Sequence, residues 1–244
     1  MGCCSSSIPV PSRASEEERL FVQREQQLGF SVHLSSQVVQ TFARHQTQPS
    51  LISISEFNAI TRDLKLDVRE LDLRGSPINR LYGQLSERGV YDSVKLRTLA
   101  VLLSKGRDKA EAYFACIAPA GEVSAVQVKS LFSAMVYLSG ELLPLLAASE
   151  SDEEAIEGKS YEHEFVQSCV ERMQLGRDTL IGRWTNLVLG SHSQATTEQF
   201  KASFRREDEL SALRSPYKVR KALKKQAFEM SKPQRRPRPA LVSQ

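Results

Sequence analysis

The sequence predicts an all-α protein of four helix-loop-helix units in two lobes, with a short lipid-bearing arm before them and a basic tail after them. Three observations predict it. Apolar residues recur at helical spacing through most of the chain, often just after a hydroxyl or acidic residue that can cap a helix. A set of apolar and glycine landmarks repeats after 32 residues. Both ends, Met1-Gly2-Cys3-Cys4-Ser5-Ser6 and the Pro/Arg mixture after Lys232, have compositions that cannot build a core.

The elements follow in order. Residues 5–14, with Pro9 and Pro11 among serines, read as a flexible spacer. Ser15-Glu16-Glu17-Glu18 has the form of a capping box, opening a helix that runs to about Leu28 and stops at Gly29. A second helix starts at Ser35 or Ser36 and carries Val38, Val39 and Phe42 on one side. From there a unit recurs: an apolar helix end, a polar loop, a cap, a new helix. Phe42 precedes the loop to Leu51, then Ile52-Ser53-Ile54-Ser55-Glu56-Phe57, with Ser53 and Glu56 as a second capping box. Leu81, Tyr82 and Leu85 precede Gly89, Tyr91, Asp92 and Leu96. Tyr113, Phe114 and Ile117 precede Gly121, Val123, Ser124 and Val128, each 32 positions later than its counterpart. A weaker fourth copy has Trp184, Leu187 and Val188, the loop to Gln194, then Ala195, Thr196, Gln199, Phe200 and Phe204.

This skeleton is that of the EF-hand, in which the apolar loop residue pairs with its twin from a neighbouring hand. The calcium chemistry is missing. A binding loop places five or six oxygens around one ion, at about the spacing D-x-[DN]-x-[DN]-G. Copy one offers His45, Thr47 and Pro49 there; copies two and three have only Ser86-Glu87-Arg88 and Ala118-Pro119-Ala120 before the glycine; copy four offers Val188, Gly190 and His192. No cofactor is therefore expected, and calcium is not expected to bind tightly. Ser53, Glu56, Gly89, Asp92, Gly121, Ser124, Thr196 and Gln199 mark the degenerate hand positions.

The expected organisation is a lipidated arm over 1–14, a first lobe over 15–104, a second over 105–213 with an acidic insert at 147–160, and a basic helix and tail over 214–244. The insert reads either as a solvated loop or as an intramolecular partner for the tail. Tyr161 to Leu175 is expected to be a helix with Phe165, Cys169, Val170 and Met173 in the core, and Pro216 to about Met230 another, with Val219, Leu223 and Phe228 available for packing. Cys116 and Cys169 read as reduced core thiols.

Charge is asymmetric. The whole chain carries +4, while residues 214–244 hold ten Lys and Arg against Glu229 alone, giving +9 there and −5 elsewhere. An acidic body with a basic tail argues against a nucleic-acid partner and for an anionic membrane, with Lys218, Arg220, Lys221, Lys224, Lys225, Arg235, Arg236 and Arg238 as the patch. Gly2 with Ser6 fits N-myristoylation, and Cys3 and Cys4 supply thiols for palmitate. The pairing matters because one myristoyl chain binds membranes only marginally, at about 10⁴ M⁻¹. No apolar run near the ~18 residues needed for a span is evident, and no signal peptide, so lipid is the expected anchor and the cytosolic leaflet the expected address.

His33, His45, His163 and His192 stand singly, and no nucleotide-binding glycine loop or nucleophile motif is present, so an enzyme is not expected. The order of elements resembles the myristoylated EF-hand sensors, neuronal calcium sensors and calcineurin-B-like proteins, through Gly2, Leu28-Gly29-Phe30 and Ile54-Ser55-Glu56-Phe57. In detail, Tyr91 to Leu146, with Leu102-Leu103-Ser104-Lys105-Gly106 and the Ala118–Glu122 loop, then Arg183-Trp184 and Ala195 to Phe204, is similar to the N-terminal helical region of the mTOR-associated TLDc proteins. That resemblance implies a myristoylated helical adaptor on the cytosolic face of the plasma membrane or of the lysosome and related endomembranes; the TLDc module itself is expected to be absent. The expected function is a membrane-tethered scaffold for an unidentified protein, such as an amphipathic helix in the groove of a hand pair. The alternative is a calcium-responsive switch with weak residual binding.

Overall fold

The computed structural model describes residues 15–67, 69–106, 108–118, 121–149 and 161–232. Gly2, Cys3, Cys4, Arg235, Arg236, Arg238 and residues 150–160 of the acidic insert lie outside them.

The chain is mostly helical, with a few two- and three-residue strands. Helix α1 (Glu16–Gln27) ends where Gly29 turns the backbone left-handed at φ +77°. After a 3-10 turn at Phe30–Val32 come α2 (Ser35–His45), β1 (Leu51–Ser53), α3 (Ile54–Asp63) and the single turn α4 (Arg69–Asp72). Next are α5 (Pro77–Gln84), capped by Ser76 with Pro77 at its first position, β2 (Ser86–Glu87), β3 (Val90–Asp92) and α6 (Ser93–Leu103). The second half has α7 (Ala110–Ile117), β4 (Glu122–Ser124), α8 (Ala125–Tyr137), β5 (Ala148–Ser149), β6 (Tyr161–Glu162), α9 (His163–Gln174), α10 (Arg177–Leu189), β7 (Gln194–Thr196), α11 (Thr197–Arg206), a 3-10 segment at Asp208–Arg214, and α12 (Pro216–Ser231).

The strands join loops that are far apart in sequence. β1 runs antiparallel to β3, with Ile52 opposite Tyr91, and β4 antiparallel to β7, with Val123 opposite Ala195. All four central residues are buried, so each ladder is closed by a pair of inward apolar side chains. The 32-residue repeat has matching backbone: Gly89 and Gly121 sit at φ +79° and +82°, a conformation that costs glycine nothing. Its landmarks Leu81 and Tyr113, Tyr82 and Phe114, Leu85 and Ile117, and Leu96 and Val128 are all buried.

Helix α8 is the centre of the core. It packs on α6 and α10 and continues through a π-helical turn at Leu138–Leu142 into a 3-10 turn at Leu143–Ala147. Contrary to expectation, this stretch, Ala125–Ala147, is long and apolar enough by length and composition to cross a membrane; 72% of its most apolar window is buried within the protein. One apolar cluster extends from Leu28 to Leu223, across the expected boundary between residues 104 and 105.

Other expectations change. Tyr161 and Glu162 pair in parallel with Ala148 and Ser149, so α9 begins only at His163. Its buried stripe is Val166, Cys169, Val170 and Met173, which leaves Phe165 at the edge of that stripe and 39% exposed. Phe228 is 64% exposed, while Val219 and Leu223 of the same helix are buried as expected. Cys116 and Cys169 are free and buried.

Candidate functional site

The degenerate hand positions lie in the loops that enter α3, α6, α8 and α11, joined in two separate ladders. Ser53 caps α3 by accepting from the Glu56 N–H, and Glu56 returns the bond from the Ser53 N–H to its Oε2 at 2.7 Å. The other carboxylate oxygen accepts from the Thr47 N–H at 2.7 Å and the Thr47 hydroxyl at 2.6 Å. Glu56 thereby ties the end of α2 to the start of α3, and the Thr47 hydroxyl and the flanking N–H groups hold its carboxyl down at about 2. In the third copy an amide does this work. Gln127 Oε1 accepts from the Ser124 N–H and hydroxyl at 2.9 and 3.0 Å, and its Nε2 donates to the Ile117 carbonyl at 2.8 Å, spanning the loop from helix to helix. Gln199 accepts from the Thr196 N–H, and Asp92 caps α6 through the Lys95 N–H. Among the described residues no three His, Cys, Asp or Glu side chains gather as a metal-binding group.

Glu56→Ala is expected to cost about 1–2 kcal/mol, the worth of a cap together with the loop it closes. The sign follows from the depressed carboxyl. The native state prefers the ionised form, so this stability is fully present above the ordinary value of 4.5 and is lost as pH falls toward 2. Urea midpoints at pH 7 and pH 3 check it: the gap between wild type and variant should narrow at the lower pH.

The second region joins the two ends of the described chain. The Arg220 side chain of α12 is 0% exposed. Its Nε donates to Glu18 at 2.9 Å and its Nη1 to Glu25 at 2.5 Å, both on α1. The same Nη1 lies 3.3 Å from the Ser139 carbonyl in the π-helical turn, where the wider hydrogen-bond spacing leaves a backbone acceptor to spare. The guanidinium also lies 5.3 Å from the centre of the Phe21 ring. One turn later Lys224 Nζ donates to Glu17 at 2.5 Å and Glu18 at 2.9 Å. Gly140 lets α12 settle here, since a Cβ at that position would fall 2.9 Å from Leu223 Cδ1.

Burial is the largest influence on Glu25 and pushes its carboxyl above the ordinary value, against the pull of the Arg220 charge and hydrogen bond. This arrangement corrects two expectations. Ser15 makes no side-chain cap, and the Glu18 carboxylate is turned to Arg220 instead of back to the helix start. Arg220 is no part of a solvent-facing patch, and Lys224 is half-buried against α1; Lys218, Lys221 and Lys225 are exposed.

A perturbed lysine stands apart from both regions. Lys109 is buried beside a cavity of about 140 Å³ lined by Tyr113, Phe204, Arg205 and Arg214, and burial lowers its ammonium to about 7. Its Nζ donates to the Leu102 carbonyl in the last turn of α6, at 2.8 Å. A cation there satisfies a helix-end acceptor, which gives it a structural role.

Sequence reasoning missed Thr47, Gln127 and the α1–α12 contact. Gln127 occupies the third helical position after Ser124, as Gln199 does after Thr196, and that spacing was the available signal. Comparison with protein-family models, with curated proteins and with solved structures finds no match.

Proposed function

We propose that the protein is a non-enzymatic adaptor of EF-hand-like build, held on a cytosolic membrane leaflet by myristate on Gly2 and palmitate on Cys3 and Cys4, and presenting its helical body to a protein partner. The observation that carries the tether is the register of Gly2, Cys3, Cys4 and Ser6, which supplies an acceptor amine, two thiols and the small hydroxyl in one hexapeptide. Support for the EF-hand-like reading comes from the paired loops, in which Ile52 faces Tyr91 and Val123 faces Ala195, as the inward apolar residues of two hand pairs would. Support for a role without tight calcium binding comes from Glu56, whose two oxygens are already engaged by Thr47 and Ser53. The similarity to the helical region of the TLDc proteins belongs to the same proposal.

One fractionation tests both parts. Expressed in eukaryotic cells, the wild-type protein is expected in the membrane fraction whether calcium or a chelator is present. Gly2→Ala should move most of it to the soluble fraction, because palmitoylation of neighbouring thiols generally needs the first chain to bring them to the bilayer. Retention of Gly2→Ala on membranes would refute the tether, and release of wild type by chelation would favour the calcium-responsive reading instead.

A further inference from the structure

The ion pairs between α1 and α12 fix the direction in which the two helices pass. Moving along α12 from Arg220 to Lys224, the partners on α1 go back from Glu25 and Glu18 to Glu18 and Glu17. The start of α1 therefore lies on the Lys224 side of the contact. Glu17, in the first turn of α1, thus lies beside Lys224, in the second half of α12.

The outer face of α12 is ordered by the same contact. With Val219, Arg220, Leu223, Gln226 and Ala227 buried, Lys218, Lys221, Lys225, Phe228 and Lys232 all fall on the opposite side, at helical spacings of three and four. All five are exposed. Among the described residues Lys218 and Lys221 have no ion pair, and Lys225 has only a 3.9 Å contact with Glu229. Lys232 Nζ lies 4.8 Å from the centre of the Phe228 ring. From Lys218 to Lys232, 14 steps along the chain, this makes a cationic stripe about 21 Å long with one exposed aromatic ring in it, at about 1.5 Å per residue.

We propose that this stripe is a docking surface for an anionic lipid bilayer, at the leaflet to which the proposed acyl chains tether the protein. The inference deepens the membrane-tethered reading and rests on it for its setting. Charge complementarity selects the partner: four lysines on one helix face attract acidic headgroups, and a ring at the surface suits the headgroup boundary. The Arg220 and Lys224 contacts supply the orientation, since they hold the buried face of α12 inward and the stripe outward, with Lys224 beside the first turn of α1.

The test uses the full-length chain made without acylation, sedimented with phosphatidylcholine vesicles that contain or lack phosphatidylserine. Wild type should partition onto the phosphatidylserine vesicles alone, less strongly as salt rises. Each lysine at the surface contributes on the order of fivefold, so Lys221→Gln/Lys225→Gln should lower the partition coefficient by ten- to thirtyfold. Arg62→Gln/Arg88→Gln, on α3 and in the β2–β3 turn, should leave it within about twofold. The double lysine variant binding like wild type, or all binding vanishing on Arg235→Gln/Arg236→Gln alone, would overturn the stripe. So would a wild type that ignores phosphatidylserine, which would assign the stripe to an acidic protein surface. These readouts are independent of Gly2→Ala in cells, so the stripe and the tether can fail separately.

Discussion

Arg220→Met is expected to destabilise the folded protein by about 3–5 kcal/mol, because it removes one partner of a buried ion network and leaves the others where they are. Glu18 and Glu25 have side chains 6% exposed, and both point at the vacated position. Neither can regain water without pulling α1 off the body; Glu18 keeps Lys224 at 2.9 Å, while Glu25 loses the cation it faces, so the uncompensated charge falls mainly on Glu25. The cost belongs to the stranded carboxylates more than to the lost attraction, so a background of Glu18→Gln and Glu25→Gln should recover most of it. Acidity should recover part as well. Burial already raises the Glu25 carboxyl, and losing Arg220 removes both influences that lower it. A group whose native value is raised binds more protons folded than unfolded, so its contribution to stability grows as pH falls toward 4.5 and is lost as pH rises. The penalty measured by urea unfolding should be largest near pH 8 and smaller near pH 5. A loss below about 1 kcal/mol, or one independent of pH, would show that the guanidinium does not neutralise these carboxylates.

That network also marks the limit of what was legible in the sequence. Features governed by near neighbours were readable. The capping box at Ser53, the caps at Ser124 and Thr196, the loop glycines 89 and 121, and the buried repeat all follow from spacings of a few residues, and the observed elements carry them. Pairing between loops was approachable because the apolar residue before each cap needs an inward partner. Glu18 was misassigned because S-x-x-E reads the same whether the carboxylate turns back to its helix or out to an arginine 202 positions away. Phe165 was misassigned for a related reason: helical spacing defines a stripe, but its centre is set by what packs on it, here α12 and the 3-10 turn after α8. The hexapeptide proposed to be acylated lies outside the described residues, so its reading rests on sequence alone.

Trp184→Ala should cost about 3–5 kcal/mol, as truncation of a large buried aromatic does. Trp184 is 0% exposed and meets Phe132 of α8 edge to face, with ring centroids 6.0 Å apart, at the contact between α8 and α10 that centres the core. The informative comparison is Trp184→Phe. Its indole Nε1 is buried with no hydrogen-bond partner among the described residues, so the native side chain carries a desolvation cost of about 1–3 kcal/mol. Phenylalanine removes that donor and keeps a ring against Phe132, at the expense of a small cavity worth about 1 kcal/mol. The two effects oppose, and the net change should lie within about 1 kcal/mol of zero, whereas alanine loses the packing and gains nothing comparable. Unfolding of both variants followed by far-ultraviolet circular dichroism separates the contributions. If phenylalanine proved nearly as costly as alanine, the indole nitrogen would have to make a bond worth keeping, and Trp184 would be holding the core by polarity as well as by shape.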